Sequence, residues 1–280
     1  MHKKRGETPL EVLSAWKASR PELANVPMSY AGRLDPMAEG KLLVLIGDEC
    51  KRQESYTKLD KEYEIEVLLD IKTDTGDVLG FPTYGADRAA YSEKSGKTWP
   101  SGPERRFFQS MPLVAALSLE IGSHSRRYPV YSSKTVNGKP LFLYALEGTL
   151  DTIAIPEHIE TIYKIKQLGS YVLTTAELQT RVVELLSSVP LSDEPSKELG
   201  ADFRQDEVRA RWGELLSSMP DYEFAVIRLR VTCAPGAYMR TLAERIGNSL
   251  GTTALALSIN RTRIGKYLPL GLWGIWTKQY

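Results

Sequence analysis

Few residues in this chain are equipped for chemistry, and their spacing leaves out the commonest machinery. Three histidines (His2, His124, His158) and two cysteines (Cys50, Cys233) are the whole stock of soft metal ligands. None stands at ligand spacing from another, so a zinc or iron centre is not expected. There is no Gly-x-x-x-x-Gly-Lys-Ser/Thr loop and no Gly-x-Gly-x-x-Gly after a strand, so no signature of a nucleotide cofactor. A Gly-x-Ser-x-Gly elbow for acyl transfer is missing as well. What remains is the segment from Ala31 to Leu43, Ala-Gly-Arg-Leu-Asp-Pro-Met-Ala-Glu-Gly-Lys-Leu-Leu. By itself, Asp35 between Leu34 and Pro36 reads as a turn residue. It reads equally as a carboxylate on a loop that enters a strand, where a rigid scaffold can aim it into a cleft.

That segment resembles the catalytic motif of the TruB family of tRNA pseudouridine synthases, Gly-Thr-Leu-Asp-Pro-x-Ala-x-Gly-x-Leu. Other stretches are similar to family motifs and follow in the same order. Lys61-Glu62-Tyr63 resembles the Lys-x-Tyr segment, and Thr73-Asp74-Thr75-Gly76-Asp77 the Thr-Asp-Thr-x-Asp motif after it. Tyr131-Ser132-Ser133-Lys134 with Gly138-Lys139-Pro140-Leu141-Phe142 and Tyr144 resembles the Tyr-Ser-Ala-x-Lys…Gly-x-x-Leu-Tyr block. Cys233 to Leu242 looks like Cys-x-x-Gly-Thr-Tyr-Ile-Arg-Thr-Leu, and Asn260 to Gly265 like the closing Arg-Arg-Thr-x-Val-Gly stretch. The resemblance implies an α+β pseudouridine synthase fold with a mixed, largely antiparallel central sheet and flanking helices. It implies Asp35 as the catalytic carboxylate, with Tyr63, Tyr238, Arg240, Tyr30, Lys61 and Ile259 meeting the substrate. For Ile259 and its neighbour Leu257, core packing explains the apolar character as well as a pocket wall does. The implied partner is tRNA, at uridine 55 of the T-loop, with no cofactor and no metal.

The implied reaction suits these residue types. Pseudouridylation breaks the bond from ribose C1′ to uracil N1, turns the base and rejoins it through C5, with no redox change and no group donor. The target must leave the stack. A tyrosine face such as Tyr63 returns about 1–3 kcal/mol of the stacking lost. A carboxylate then acts as nucleophile at C1′ or as base on a ribose proton, and a cation such as Arg240 keeps it charged in a partly dry pocket.

Three departures from the family pattern stand out. Arg33 replaces the usual Thr, making Gly-Arg-Leu-Asp closer to the motif of the RsuA/RluA branch and raising rRNA as an alternative target. Tyr30 occupies the position of a histidine that usually helps recognise the T-loop. Residues 175–220 are longer than the usual link into the Cys-x-x-Gly block and are expected to form a helical insertion within a single catalytic domain, 1–280. With Tyr280 soon after Gly265, the C-terminal PUA-type domain of many members is expected to be absent.

The elements that must position these residues follow from periodicity. Thr8-Pro9 ahead of Leu10, Val12, Leu13 and Trp16 predicts a capped helix. Lys41 to Ile46 predicts a buried strand bounded by glycines. Between Glu62 and Ile71, Tyr63, Ile65, Val67 and Leu69 share one face and Glu62, Glu64 and Glu66 a charged outer one. Gly80 to Gly102 predicts an exposed loop, Pro103 a helix start, and Asn137-Gly138 a hairpin turn. Helices are expected near 175–188 and 205–218, around a polar linker from Ser192 to Gly200. Their apolar stripes are Val182, Val183, Leu185 and Leu186, then Val208, Trp212, Leu215 and Leu216. A strand over 227–233 and a helix from about Ala237 to Leu250, closed by Gly251, complete the pattern.

The 280 residues, 42% hydrophobic and 25% charged, suit a soluble globular protein. Net charge is +1, but the cations cluster at Lys3-Lys4-Arg5, Lys51-Arg52, Arg105-Arg106, Arg126-Arg127 and Arg261/Arg263/Lys266, as phosphate contacts or as solvated surface. The longest apolar stretch, Leu42 to Ile46, is too short to span a bilayer, and no apolar segment follows the basic N-terminus. A cytoplasmic monomer with no membrane contact is expected.

Overall fold

The computed structural model describes residues 1–85, 113–189, 204–270 and 273–280. The chain enters as the short strand β1 (His2–Lys3) and turns into the helix Pro9–Ala18. That helix starts as expected. Thr8 caps it, receives the Glu11 N–H and is answered by the Glu11 carboxylate on its own N–H. β2 (Met28–Ala31), β3 (Glu39–Lys41) and β4 (Leu43–Ile46) follow. The single strand expected over 41–46 is therefore two, parted at buried Leu42. β4 pairs antiparallel with β2, while β3 joins the central sheet. Gly40 permits that divergence. Its φ is +114°, and a Cβ there would lie 2.4 Å from the Arg261 carbonyl oxygen.

β5 (Asp60–Leu69) leads to the small pair β6 (Ile71–Thr73) and β7 (Pro82–Tyr84), then to β8 (Gly122–Arg127). β9 (Thr135–Val136) and β10 (Lys139–Pro140) close on Asn137-Gly138, both at positive φ as the hairpin signal requires. β11 (Glu157–Thr174), β12 (Glu223–Cys233), β13 (Ala254–Leu270) and β14 (Trp273–Gln279) are the long strands of the second half. The central sheet runs β1-β3-β13-β5-β12-β11-β8, with β14 added to β13. Every pairing is antiparallel except β3 with β13. The class is α+β. Residues 86–102 of the expected loop, the Pro103 helix start, Arg105-Arg106 and the 192–200 linker lie outside the described residues. Within that loop, 82–84 form β7.

The sheet has a core on each face. On one, Tyr63, Ile65, Val67, Leu229 and Val231 pack against Leu242, Ala243 and Ile246 of the helix Met239–Ser249. On the other, Leu68, Val226, Leu255 and Leu257 meet the helices Thr175–Ser187 and Gln205–Ser217 through Leu178, Val182, Leu186, Val208, Trp212 and Leu216. Leu257 thus belongs to the face away from Tyr63, because a bulge between Ala256 and Ser258 shifts the register. Val183, expected in the stripe, is exposed, and Leu215 is only half-buried. The glutamates of β5 are not a free outer face either. β5 is central, so its neighbours cover them: Arg263 and Thr262 reach Glu62, Arg230 reaches Glu64, and Arg181, Tyr171 and Ser258 reach Glu66.

Trp212 ties the helix pair to the sheet. Its side chain is 1% exposed and its Nε1–H donates to the Val78 carbonyl at 3.0 Å. Trp212→Ala is expected to cost about 3–5 kcal/mol. The loss should appear as a lower midpoint of one cooperative transition in urea. A second, separate transition would mean that the helices hold a core of their own.

Candidate functional site

Asp35 sits on a turn between β2 and β3, and two buried cations hold that turn in place. The Ala38 N–H donates to the Asp35 carbonyl at 3.0 Å, while Leu34, Met37 and Ala38 are buried. From below, the Lys3 ammonium donates to the carbonyls of Ala38 (2.5 Å), Lys4 (3.1 Å) and Pro36 (3.4 Å). From the side, Arg261 donates to the carbonyls of Lys41 (2.8 Å), Arg33 (3.1 Å) and Gly32 (3.1 Å). Arg261, read from its spacing as a candidate phosphate contact, is 1% exposed. It is not solvated surface: a buried guanidinium needs acceptors, and the loop backbone supplies them beside the cavity that Arg261 also lines. Arg263 and Arg126 of the same expected clusters are paired with Glu62 and Glu120.

Arg240 meets Asp35 across 205 residues of sequence. It stands in the first turn of the helix Met239–Ser249, where the macrodipole disfavours a cation. Its Nε–H donates to Asp35 Oδ2 at 2.9 Å, Nη1 to the Thr75 carbonyl at 2.6 Å and Nη2 to the Tyr131 carbonyl at 2.8 Å. Its partners lie in these loops rather than at Glu244. A two-pronged grip on Asp35 is not what forms. One N–H serves the carboxylate, and both terminal nitrogens are taken by carbonyls. The Arg240 side chain is 6% exposed and that of Asp35 47%, so a buried cation steers a carboxylate that faces solvent.

Asp77 completes the contact, 3.7 Å from Arg240 Nε. Burial pushes its carboxyl up, against the pull of Arg240. Thr75 Oγ1 and the Leu79 N–H fix its Oδ1 at 2.8 and 3.0 Å. For Arg240, burial alone would lower the pKa, but Asp35 and Asp77 raise it. Neither Asp77 nor Lys3 stood out as a functional residue in the sequence. Asp77 lay within the Thr-Asp-Thr-x-Asp resemblance, and that was its only signal. Lys3 looked like one more surface cation.

Beside this pair lies a cavity of about 230 Å3 lined by Asp35, Lys61, Tyr63, Tyr238, Arg240 and Ile259. Each comes from a different constraint. Lys61 and Tyr63 share a face of β5, Ile259 pairs with Ile65 from β13, and Tyr238 is the N-cap residue of the Arg240 helix. The Tyr238 phenol is pushed up to about 12, by burial first and then by Tyr128. Its ring meets the edges of Tyr128 and His158, and its N–H donates to Glu160 at 3.2 Å. Tyr30 is not part of the cavity wall. It lies in β2 opposite Val44, its carbonyl accepting from Gln53. Arg33, by contrast, is exposed and lines the cavity. Among the described residues no group of three or more His, Cys, Asp or Glu could hold a metal ion.

The model of the TruB family pseudouridylate synthase N-terminal domain matches residues 22–184. The chain belongs to that family. Asp35, Lys61, Tyr63, Thr75, Asp77 and Tyr131 fall inside the match, whereas Arg240 reaches Asp35 from outside it. The tRNA pseudouridine synthase B of Ralstonia pickettii (strain 12J) is 27% identical over 236 residues, covering 84% of this chain and 53% of that one. That of Burkholderia mallei (strain NCTC 10247) is 27% identical over 240 residues, covering 84% and 54%. The chain spans about half the length of the curated relatives it matches. Among solved structures, a chain of a Cbf5-Nop10-Gar1 complex is similar at a TM-score of 0.49 and 16% identity, over 94% of this chain and 47% of that one.

Lys61 gives this site a pH signature. Its ammonium donates to the carbonyls of Thr57 (2.7 Å) and Leu59, and burial, with Arg261 adding to it, lowers its pKa from 10.5 to about 8. Between those values the unfolded chain keeps a proton that the folded one has lost, so unfolding free energy gains a term that rises with pH. The penalty is present in full below pH 8. Lys3, also lowered to about 8 by burial, adds a similar term. Lys61→Met is expected to reduce the rise by up to about 1.4 kcal/mol per pH unit in that window. Urea titrations of parent and variant from pH 7.5 to 10 would measure it; parallel curves would contradict it.

Proposed function

We propose that this chain converts uridine 55 in the T-loop of tRNA to pseudouridine, with Asp35 as the catalytic carboxylate. The observation that carries the reading is the Asp35–Arg240 contact at the edge of a cavity walled by Tyr63, Tyr238 and Ile259, in a chain of the TruB family. The curated relatives are named tRNA pseudouridine synthase B, which supports tRNA as the substrate. A cavity of this size suits one flipped base rather than an extended ligand. Tyr63 and Tyr238 supply aromatic surface for it and Ile259 an apolar wall. Once the base is seated, the solvent-facing Asp35 carboxylate is free to act at ribose C1′ or on a ribose proton, while Arg240 offers a counter-charge and fixes its orientation. The C1′–N1 bond breaks, C1′–C5 forms, C5 gives up its proton and N1 takes one, so atoms balance without a cofactor. The cytoplasm, where tRNA is modified, is the proposed location. Among the described residues no helix is long and apolar enough to cross a membrane.

An rRNA or other RNA target is the second reading. It is favoured by Arg33 on the cavity wall and by Tyr30 being away from it. A non-catalytic RNA-binding role is opposed by the complete Asp35–Arg240 contact. Mapping pseudouridines in RNA from cells with and without this protein separates the three.

Asp35→Asn is expected to abolish pseudouridine formation while RNA binding persists, because the amide keeps the shape but cannot act as nucleophile or base. Arg240→Lys should lower kcat on the order of a hundredfold with a smaller change in binding, since one ammonium cannot reach Asp35, Thr75 and Tyr131 together. Turnover by Asp35→Asn near the parent rate would overthrow the mechanism. Arg33→Ala is expected to weaken RNA binding and to reduce the slope of log Kd against log salt by about one, as for a lost phosphate contact. An unchanged slope would place Arg33 away from the phosphates.

A further inference from the structure

The helix Gln205–Ser217 begins with two choices that are locally unfavourable. Arg204 precedes it at φ +56°, the left-handed region that a non-glycine residue rarely adopts. It also puts a cation at a helix N-terminus, where no side chain caps the first turn. Tertiary contacts must hold it there, and they converge on one loop. Arg204 Nη2 donates to Asp74 Oδ2 at 2.7 Å, and its guanidinium lies 3.9 Å from the Phe81 ring centroid and 5.4 Å from that of Tyr131. Asp74 takes the Tyr131 hydroxyl on the same oxygen (3.0 Å) and the Phe81 N–H on the other (2.8 Å).

Arg240 depends on the same two segments. Its terminal nitrogens donate to the carbonyls of Thr75, next to Asp74, and of Tyr131, whose side chain Asp74 holds. The loop has no slack against it: Gly76, at φ +77°, brings its Cβ direction to 3.2 Å from Arg240 Cβ. Seven residues further along the same helix from Gln205, Trp212 binds the carbonyl of Val78, so one helix grips the Thr73–Leu79 loop at both ends.

We propose that Arg204 is a positioning residue for the proposed isomerase reaction. Through Asp74 it holds the Thr75 and Tyr131 carbonyls where Arg240 can bind both and still direct its Nε–H at Asp35. The helical segment 205–217, which contributes no residue to the cavity wall, thereby serves the site as a brace. This rests on the isomerase reading for its kinetic consequence, but not for its structural one.

The test uses the full chain. Arg204→Ala and Asp74→Asn should each lower kcat on tRNA roughly tenfold with KM changed by less than about twofold. The double variant should fall no further than either single one, as for two residues acting through one contact. Arg204→Lys should recover part of the loss. Arg211→Ala, which removes a second guanidinium 4.2 Å from Phe81 but does not touch Asp74, should leave kcat at the parent value. Hydrogen exchange without RNA gives an independent readout: segments 73–77 and 131–134 should exchange faster in Arg204→Ala than in Arg211→Ala. Parent-like kcat in both Arg204→Ala and Asp74→Asn, additive losses, or unchanged exchange in those segments would overturn the brace. A parent chain that makes no pseudouridine would overturn the isomerase reading and leave the exchange comparison to decide the brace.

Discussion

A guanidinium carries five N–H donors and a permanent charge, and Arg240 places one where almost no water reaches it. Each donor left without an acceptor there would cost about 1–3 kcal/mol or more. The acceptors come from three segments that are remote in sequence: the Asp35 turn, the Thr75 loop and the Tyr131 loop. Satisfying this one side chain therefore sets where those loops lie. Removing a partner from such a contact leaves a buried charge uncompensated, which is far costlier than never having built it. The cavity forms beside Arg240 because the loops meet there.

A second layer of cations repeats the device without carboxylates. Lys3, Lys61 and Arg261 all donate to backbone carbonyls around the Asp35 turn and the start of β5. Carbonyl dipoles solvate them in place of water. The result is a rigid floor with a surplus of positive charge beneath a single exposed carboxylate. A polyanion approaching that mouth meets attraction from the interior as well as from surface residues such as Arg33. Near-neutral overall charge hides this, since the acidic residues are spent on other faces, as with the paired glutamates of β5.

Residues whose placement is written into short strings are legible in the sequence. Asp35, Tyr63 and Arg240 stood out by resemblance, Thr8 by the Pro9 that follows it, and Asn137-Gly138 by turn chemistry. Arg261 was misread because burial of a cation depends on where distant carbonyls arrive, and nothing within Asn260–Gly265 records that. The break at Leu42 was hidden for a similar reason: β3 and β4 are each short, and only their partners, β13 and β2, distinguish them. Val183 was misplaced by an angle on a helix, and a bulge decided Leu257 for core packing while leaving Ile259 at the cavity, both small offsets that move a side chain to another face. Arg204 left no signal at all, since an arginine before a helix argues against function until the fold brings Asp74 to it.

The position of β13 governs how this protein can come into being. It is the penultimate strand in sequence yet lies between β3 and β5, which belong to the first quarter of the chain. As the polypeptide leaves the ribosome, β5 can recruit β12 only after more than two hundred residues have emerged, and β3, paired on one side with β1, stays open on the other until Ala254–Leu270 follows. Arg261 rides on that same strand. A nascent chain therefore carries open strand edges and an Asp35 turn held by Lys3 but not by Arg261 through most of its synthesis, and gains the completed sheet and the second anchor together when β13 arrives. Long-range pairing of this kind slows folding and leaves edges available to other chains.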